Sequence, residues 1–533
     1  MMKKFTTLIF LLWCISTSIV NGTKNNDDDN DLPNILFILA DDLGWHDTSI
    51  FGDPTSPTPH LKTLSEDGIK LSHHYVHWHC SPSRRSFLTG RNPNHHGEQL
   101  SEETSDDIDL RWTWISELLQ ERGYVNYWYG KGHTGYKSMN HLPVRRGFDG
   151  GSVFFFAGSG SYTLLPRWNG SRPCYTNQTD PHTYSTDLFG SLALNAVSEH
   201  DMKKPMFMYL PWQAVHSPYD LPPERLVETT DDRIALMIRD VDTWIGRIVS
   251  KLKERGMYER TLIVFTSDNG GTQDPPQNNT RGGNNYPLRG AKHSNWQGGM
   301  RTQTFVSGGF VPEHLRNTTN NGTYHIVDWY PTFCHLVGGR ECHDASKVPP
   351  LPVDPNDPSR DIYQGNLSWP SVDGLNIMNA LLYNNESNVS SRPYLWLSAE
   401  SMIKDGRWKI VTAQQDPSLA AAPVTGWRNA NGDWTYGGEL DSDVGCGLHF
   451  HNRTMFRPCL FDLATDEREM NDLSRSNPEL LLELWNELNL TALTAYRSRS
   501  PSNLLGHCNQ TCSSMKWKSI YGAPFVGPVC GVC

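Results

Sequence analysis

The chain has 533 residues, 37% of them hydrophobic and 20% charged, with a formal net charge of −11 at pH 7. That length exceeds what one simple core accommodates and points to a large domain plus a smaller one. The negative balance argues against a nucleic-acid partner, so a polyanionic substrate would need a local basic pocket.

The first 22 residues, "MMKKFTTLIFLLWCISTSIVNG", carry Lys3 and Lys4 ahead of an apolar run from Phe5 to Val20, and small residues follow. This pattern reads as a signal peptide over residues 1–22, with the mature chain starting between Thr23 and Asp31. The run is short for a transmembrane anchor, and no other segment is long enough to span a bilayer, so no stable membrane insertion is expected. Asn169, Asn177, Asn278, Asn317, Asn321, Asn366, Asn385, Asn388, Asn452, Asn489 and Asn509 all open N-x-S/T triplets. Their density agrees with passage through the secretory pathway, to a lysosome or the extracellular space.

Four β-like runs end in chemically loaded turns. "NILFILADD" (Asn34 to Asp42) stops on two aspartates. "YVNYWYGKGH" (Tyr124 to His133) ends in Lys131 and His133. "PMFMYLPWQAVH" (Pro205 to His216) ends in His216, and "TLIVFTSDNGG" (Thr261 to Gly271) ends in Asp268 and Asn269. Continuous apolar runs mark strands buried on both faces. Helical patterns lie between them, over Thr113–Gly123 and Asp232–Gly256. Alternating β and α units predict an α/β sandwich with a mostly parallel sheet. Ligands of such sheets bind beyond the carboxyl ends of the strands, where these polar residues fall. After about Asn388 the texture changes to short strands, "PYLWLS", "GRWKIVTA" and "CLFDLATD". A helix then starts with Asn477 as N-cap and Pro478 at the first helical position. The expected division is a main domain over 32–388 and a small α+β subdomain with a Cys-rich tail over 389–533.

Asp41, Asp42, Asp268 and Asn269 are hard oxygen donors on strand ends. They suit Ca²⁺, with Mg²⁺ the weaker match because it prefers to keep waters. The stretch "HCSPSRRSFLTG" puts Cys80 at a helix start, with Pro82 in the first turn and Arg84 close behind. A helix N-terminus offers free N–H groups and positive potential to an anion. Ten cysteines follow the signal peptide. Setting Cys80 aside leaves Cys174, Cys334, Cys342, Cys446, Cys459, Cys508, Cys512, Cys530 and Cys533, an odd set. Cys334/Cys342 and Cys446/Cys459 are plausible local pairs. The last four read as a disulfide-stapled tail or a zinc site, and an oxidising compartment favours disulfides. His73, His74, His77 and His79 are not expected to hold a metal, because strand alternation sends half of them away from the others. His95 and His96 are expected at a substrate mouth.

"CSPSR" followed by "SFLTGR" resembles the signature of the type I sulfatases. So do "NILFILADDLGWHD", "GKGHTGY", "RRGFDG", "TLIVFTSDNGG", "YPLRGAKHSNWQGGMR" and "IVDWYPT", in family order over about residues 33 to 335. The arylsulfatase B-like (N-acetylgalactosamine-4-sulfatase) group looks closest. The resemblance implies an alkaline-phosphatase-like sandwich, with a large, mostly parallel sheet flanked by helices and a small C-terminal antiparallel sheet with one helix. It implies that Cys80 is oxidised to 3-oxoalanine (Cα-formylglycine) by a formylglycine-generating enzyme, and that the hydrate of that aldehyde attacks sulfur. Asp41, Asp42, Asp268, Asn269 and the group derived from Cys80 would then ligate calcium. Arg84 and Lys131 would hold the hydrate, His133 would act as base, and Lys131, His216 and Lys292 would contact sulfate. His216 or Lys292 would protonate the leaving alcohol. The substrate would be a sulfated carbohydrate or a small sulfate ester. The alternatives are a phosphodiester or phosphonate hydrolase of the same superfamily, or a non-catalytic glycan-binding relative. Gly132 and Thr134 depart from the family's bulkier residues, so a looser loop is expected there. Arg85 replaces a small residue, so a more basic entrance is expected.

Overall fold

The computed structural model describes residues 32–494 except 97–107, 111, 136–138, 157–159, 164–166, 175–183, 226–231, 273–281, 340–341, 343–370, 383–391, 413–426, 429–433 and 436–457. The signal peptide and the four last cysteines therefore lie outside the described residues. So does the expected boundary at 388/389.

Strand β1 (Asn34–Ala40) is buried along its whole length. Period-2 alternation explains its unbroken apolar run. Ile35, Phe37 and Leu39 enter one core, and Leu36, Ile38 and Ala40 enter the other. Around it a ten-stranded sheet forms from β2 (Ile69–Tyr75), β3 (Val125–Lys131), β4 (Val153–Phe155), β5 (Arg167–Asn169), β6 (Arg172–Cys174), β7 (Met206–Pro211), β8 (Thr261–Ser267), β9 (Arg301–Ser307) and β10 (Thr318–His325). Their order is β10-β2-β9-β8-β1-β7-β3-β4-β5-β6. β1 runs parallel to both β7 and β8, and β3 runs parallel to β7. Only β9, β5 and β6 pair antiparallel with their neighbours. The expected strands are all present: β1 and β8 end directly before Asp41 and Asp268, β3 ends on Lys131, and β7 ends at Pro211, ahead of His216. That brings the carboxyl ends of β8, β1, β7 and β3 to one edge.

Helices cover both faces. Arg233–Glu254 and Ser185–Glu199 pack on one side, and Trp329–Leu336 and Ile115–Glu121 on the other. Helix α1 (Pro59–Glu66) leads into β2, and helix α2 (Cys80–Thr89) follows it. Every residue of α2 is buried. Phe87 stacks on Phe37 of β1 at 3.9 Å, a contact worth about 0.5–1.5 kcal/mol beyond its area. Gly90 ends α2 at φ 68°, a left-handed turn that an L side chain resists. A Cβ there would lie 2.8 Å from Tyr330.

The C-terminal strands β11 (Tyr394–Ser398), β12 (Ser401–Lys404) and β13 (Trp408–Val411) form an antiparallel sheet with β16 (Cys459–Asp462). A separate ribbon pairs β14 (Trp427–Arg428) with β15 (Trp434–Thr435). One face of the four-stranded sheet packs on helix Pro478–Leu493 through Trp396, Ile410, Leu484 and Leu488. Its other face packs on Tyr75, Trp296 and Met300 of the main body. A buried ion pair, Lys409–Glu469 at 2.6 Å, reinforces the seam, where Glu469 also accepts the Gln297 N–H.

Cys334 and Cys342 form a disulfide, and Cys459 is disulfide-bonded as well. Cys80 is the free cysteine among the described residues, and it is buried. Of the glycosylation acceptors, Asn169, Asn317, Asn321 and Asn489 are exposed. No helix among the described residues is long and apolar enough to cross a membrane.

The histidines before α2 do not gather. His74 on β2 bonds Thr302 and the Trp329 indole, whereas His73 lies beside Ser72. Burial pushes His74 and His77 down to about 3 and His73 down to about 4. Unfolded, all three titrate near pH 6.5. The unfolded chain therefore binds more protons below that value, and stability is lost as pH falls. The cost is about 1.4 kcal/mol per pH unit for each such group. We expect the thermal midpoint to be lower at pH 5 than at pH 7. Calorimetry finding it equal or higher at pH 5 would contradict this.

Candidate active site

Asp41 and Asp42 follow β1, Lys131 ends β3, His216 lies beyond β7, and Asp268 and Asn269 follow β8. The N-terminus of α2 points Cys80 at them. Its Sγ lies 3.6 Å from an Asp41 oxygen and 3.8 Å from one of Asp42. His79 caps the helix in an extended conformation, leaving the first-turn N–H groups directed at the same point.

Three carboxylates meet three permanent cations. Lys131 Nζ donates to both Asp41 oxygens at 2.9 and 2.7 Å. Lys292 Nζ reaches both Asp42 oxygens at 2.8 and 2.9 Å. Arg84 holds Asp268 through Nε at 2.8 Å and its terminal nitrogen at 2.7 Å. Asn269 donates to Asp42 at 2.8 Å, and His216 Nε2 lies 3.2 Å from Lys292 Nζ and 3.5 Å from Asp42. All of these residues are buried. With the formal charges balanced, a bound sulfate would leave net negative charge that an extra cation must offset.

Burial raises Asp41 to about 7, opposed by Lys131. Burial also pushes Asp42 up, yet His216, Lys292, Lys131 and Asn269 together hold it well below the usual carboxylate range. Desolvation and then Asp268 push the Cys80 thiol well above its ordinary value. An unmodified thiol here is protonated and a poor nucleophile at neutral pH. Desolvation lowers His216 to about 3 despite Asp42, and lowers His133 as well, with Lys131 the next cause.

The oxygen donors fit a hard divalent ion. Asp41, Asp42, Cys80 and His216 can each offer one ligand atom within 4.8 Å of the others. Asn269 Oδ1 is buried with no hydrogen-bond partner, as a metal-ligating carbonyl would be. His216 joins this cluster, and Asp268 is held beside it by Arg84 and by the Asp42 N–H. The nine residues just described form one network. His133, at φ 53°, stands beside it: its ring lies 5.7 Å from His79 and its buried Nδ1 lacks a hydrogen-bond partner.

Other expectations are corrected. The Gly132 loop is pinned, because Gly132 N–H donates to Phe155 O at 2.7 Å. A Cβ there would lie 2.8 Å from that oxygen. Arg85 is 2% exposed and faces inward near His96, so it does not charge the entrance. His96 bonds Ser86 and Pro82 within the α2 region, and His95 pairs with Asp373 beyond the far end of α2. Neither lines the site. The residue missed is His293, whose ring lies 5.2 Å from His79 and 5.8 Å from Trp78. Its position directly after Lys292 was the available signal.

A sulfatase family model matches residues 33–339. The chain is 30% identical to arylsulfatase J of Mus musculus over 491 residues, covering 88% of this chain and 77% of that protein. It is 25% identical to N-acetylgalactosamine-6-sulfatase of Homo sapiens, covering 84% and 82%. The crystal structure of Ps i-CgsB superposes with a TM-score of 0.65 at 25% identity, over 88% of this chain and 94% of that one. Strand ends that converge on a buried free cysteine, and likeness along most of the length, lead to one conclusion: the chain belongs to the sulfatase family and is a hydrolase of sulfate esters.

Proposed function

We propose that the enzyme removes sulfate from a sulfated carbohydrate at the site built around Cys80. One observation carries this: Cys80 is the free cysteine among the described residues, buried at a helix N-terminus within 4 Å of two carboxylates. Conversion of Cys80 to formylglycine by a formylglycine-generating enzyme would supply an oxygen nucleophile. A calcium ion held by Asp41, Asp42, Asp268, Asn269 and that residue would supply Lewis acidity toward the sulfate.

The chain's own residues do the remainder. Lys131 and Lys292 place ammonium groups over the reacting centre, where negative charge grows in a dry site. Arg84 anchors Asp268, and with Lys131 fixes the side chain at position 80. His133, with a free Nδ1, would take the proton of the hydrate's second hydroxyl, the loss that lets sulfate leave and the aldehyde re-form. His216 and Lys292, 3.2 Å apart, share the task of protonating the departing alcohol. The net reaction consumes water and yields alcohol and sulfate. A sugar substrate is supported by the relatives named for N-acetylgalactosamine 6-sulfate. We assign residues 32–388 to the catalytic domain and 389–533 to the C-terminal subdomain. We place the enzyme in the secretory pathway, delivered to a lysosome or exported.

The test is hydrolysis of 4-methylumbelliferyl sulfate against a phosphodiester analogue, with mass analysis of the Cys80 peptide. We expect the sulfate ester to be the faster substrate and the peptide to carry an aldehyde. A faster phosphodiester, or a plain thiol in active enzyme, would reject the reading. Chelation should lower kcat by about 100-fold or more, with Ca²⁺ restoring it better than Mg²⁺. The reverse order would reject calcium.

A further inference from the structure

Lys292 lies within residues 286–296, which form neither helix nor strand. Its ammonium is nonetheless held 2.8 and 2.9 Å from the Asp42 oxygens and 3.2 Å from His216 Nε2. Productive geometry tolerates errors of only about 0.5 Å. A lysine reaches its target on a flexible four-carbon stem, so the backbone beneath it must be fixed in orientation as well as in shape. The shape is local. Gly298 N–H closes the turn onto Arg289 O at 2.7 Å, and Ala291 N–H donates to Ser294 Oγ at 3.1 Å. A turn closed on itself keeps its outline however it is tilted, so its tilt is set by bonds that leave it.

At the tip, Lys292 N–H donates to Gly271 O at 3.0 Å and His293 N–H to Trp78 O at 2.9 Å, both in the main body. The two feet are gripped by the C-terminal sheet and the chain that follows it. Arg289 donates to Glu469 O at 2.7 Å, and Gln297 N–H donates to the Glu469 carboxylate at 2.7 Å. Asn295 is wholly buried. Its Nδ2 donates to a Glu400 carboxylate oxygen at 2.8 Å, and its Oδ1 accepts the Ser398 hydroxyl. Glu400 stands in the turn between β11 and β12. That turn is itself tied down, because Glu400 N–H donates to Ser398 Oγ at 3.1 Å and Thr412 N–H donates to Glu400 O at 2.8 Å. Arg289 precedes Lys292 by three residues and Asn295 follows it by three, so the lysine sits midway between two clamped points.

We propose that Glu400 is a positioning residue for Lys292. Its carboxylate holds the Asn295 amide, the amide holds the turn, and the turn aims the ammonium at Asp42 and His216. The small C-terminal sheet thus sets the geometry on the leaving-group side of the site. The proposal rests on the reading of Lys292 as a group that helps protonate the departing alcohol. A misaimed ammonium then costs most where the leaving oxygen most needs a proton. Phenoxide is such a leaving group. 4-Nitrophenoxide spreads its charge into the nitro group and needs the proton far less.

The test compares kcat and KM for phenyl sulfate and 4-nitrophenyl sulfate in the full-length wild type, Glu400→Ala, Glu400→Gln and Lys292→Ala. Glutamine keeps an acceptor oxygen for Asn295 Nδ2, and alanine removes it. In Glu400→Ala we expect kcat to fall about tenfold for phenyl sulfate and about twofold for the nitrophenyl ester, with KM little changed. Glu400→Gln should recover most of the phenyl sulfate rate. Damage to the fold alone lowers the fraction of active enzyme and reduces both rates by the same factor. If Glu400→Ala fails to fold, Ser398→Ala, which removes the hydroxyl bonded to the Asn295 carbonyl, is read by the same ratio. Equal losses on the two esters, wild-type rates on both, or no recovery in Glu400→Gln would overturn the proposal and leave the role of Lys292 standing. Wild-type kcat in Lys292→Ala would instead reject the reading of Lys292, and the proposal with it.

Discussion

Cys80→Ala protein should fold, retain its metal-site carboxylates and lose at least about 10⁴-fold in kcat toward sulfate esters. The substitution deletes one buried atom at the start of α2 and leaves the Cβ in place. Helix, cap and three ion pairs do not depend on that sulfur, so the thermal midpoint should move by only a few degrees. Activity should collapse because, in the proposed mechanism, the attacking oxygen comes from position 80 alone. Lys131 and Lys292 are ion-paired with carboxylates, and Asp41, Asp42 and Asp268 are engaged in return. The measurement is a steady-state assay beside calorimetry. Parental kcat in folded Cys80→Ala protein would end the assignment of Cys80 as the nucleophile's source.

Lys131→Ala should be costly for stability as well as for rate. Lys131 and Asp41 are both fully buried and joined at 2.7 and 2.9 Å. Removing one partner strands the other charge in a dry environment, at a cost of about 3–5 kcal/mol. Pairing Lys131→Met with Asp41→Asn removes both charges at once. The double variant should therefore be less destabilised than the sum of its single variants, with a coupling of about 0.5–3 kcal/mol. Denaturant midpoints measure all four corners of the cycle. Strict additivity, or a Lys131→Ala protein as stable as wild type, would show that the pair carries no buried interaction. Both the single Lys131 variant and the double variant should be catalytically silent, because Lys131 also places charge at the reacting centre.

Local signals were strong wherever a chemical group shares its strand with an apolar run. "NILFILADD" announced both a doubly buried strand and its terminal carboxylates, because alternation along a buried strand needs apolar residues on both faces. The same holds for Lys131 at the end of β3 and for Asp268 after β8. Cys80 was legible because a proline in the first turn and a glycine at the end delimit α2. The residues of the site came from these ends and from the family resemblance together. Lys292 and His293 lie in a turn with no periodicity around them, so only the resemblance singled out Lys292, and adjacency to it was the one signal for His293.

The sequence by itself determined which side chains stand at strand ends, since burial period and turn chemistry are local properties. Tertiary structure alone decided who meets whom. Lys292 reaches Asp42 from 250 residues away, and His216 comes into the same close group as Asp41, Asp42 and Cys80. Arg85 turns inward, and His95 pairs with Asp373 beyond the far end of α2. Such choices depend on the order in which parallel strands assemble and on the faces that packing leaves dry. Those are relations between distant segments that no local pattern encodes.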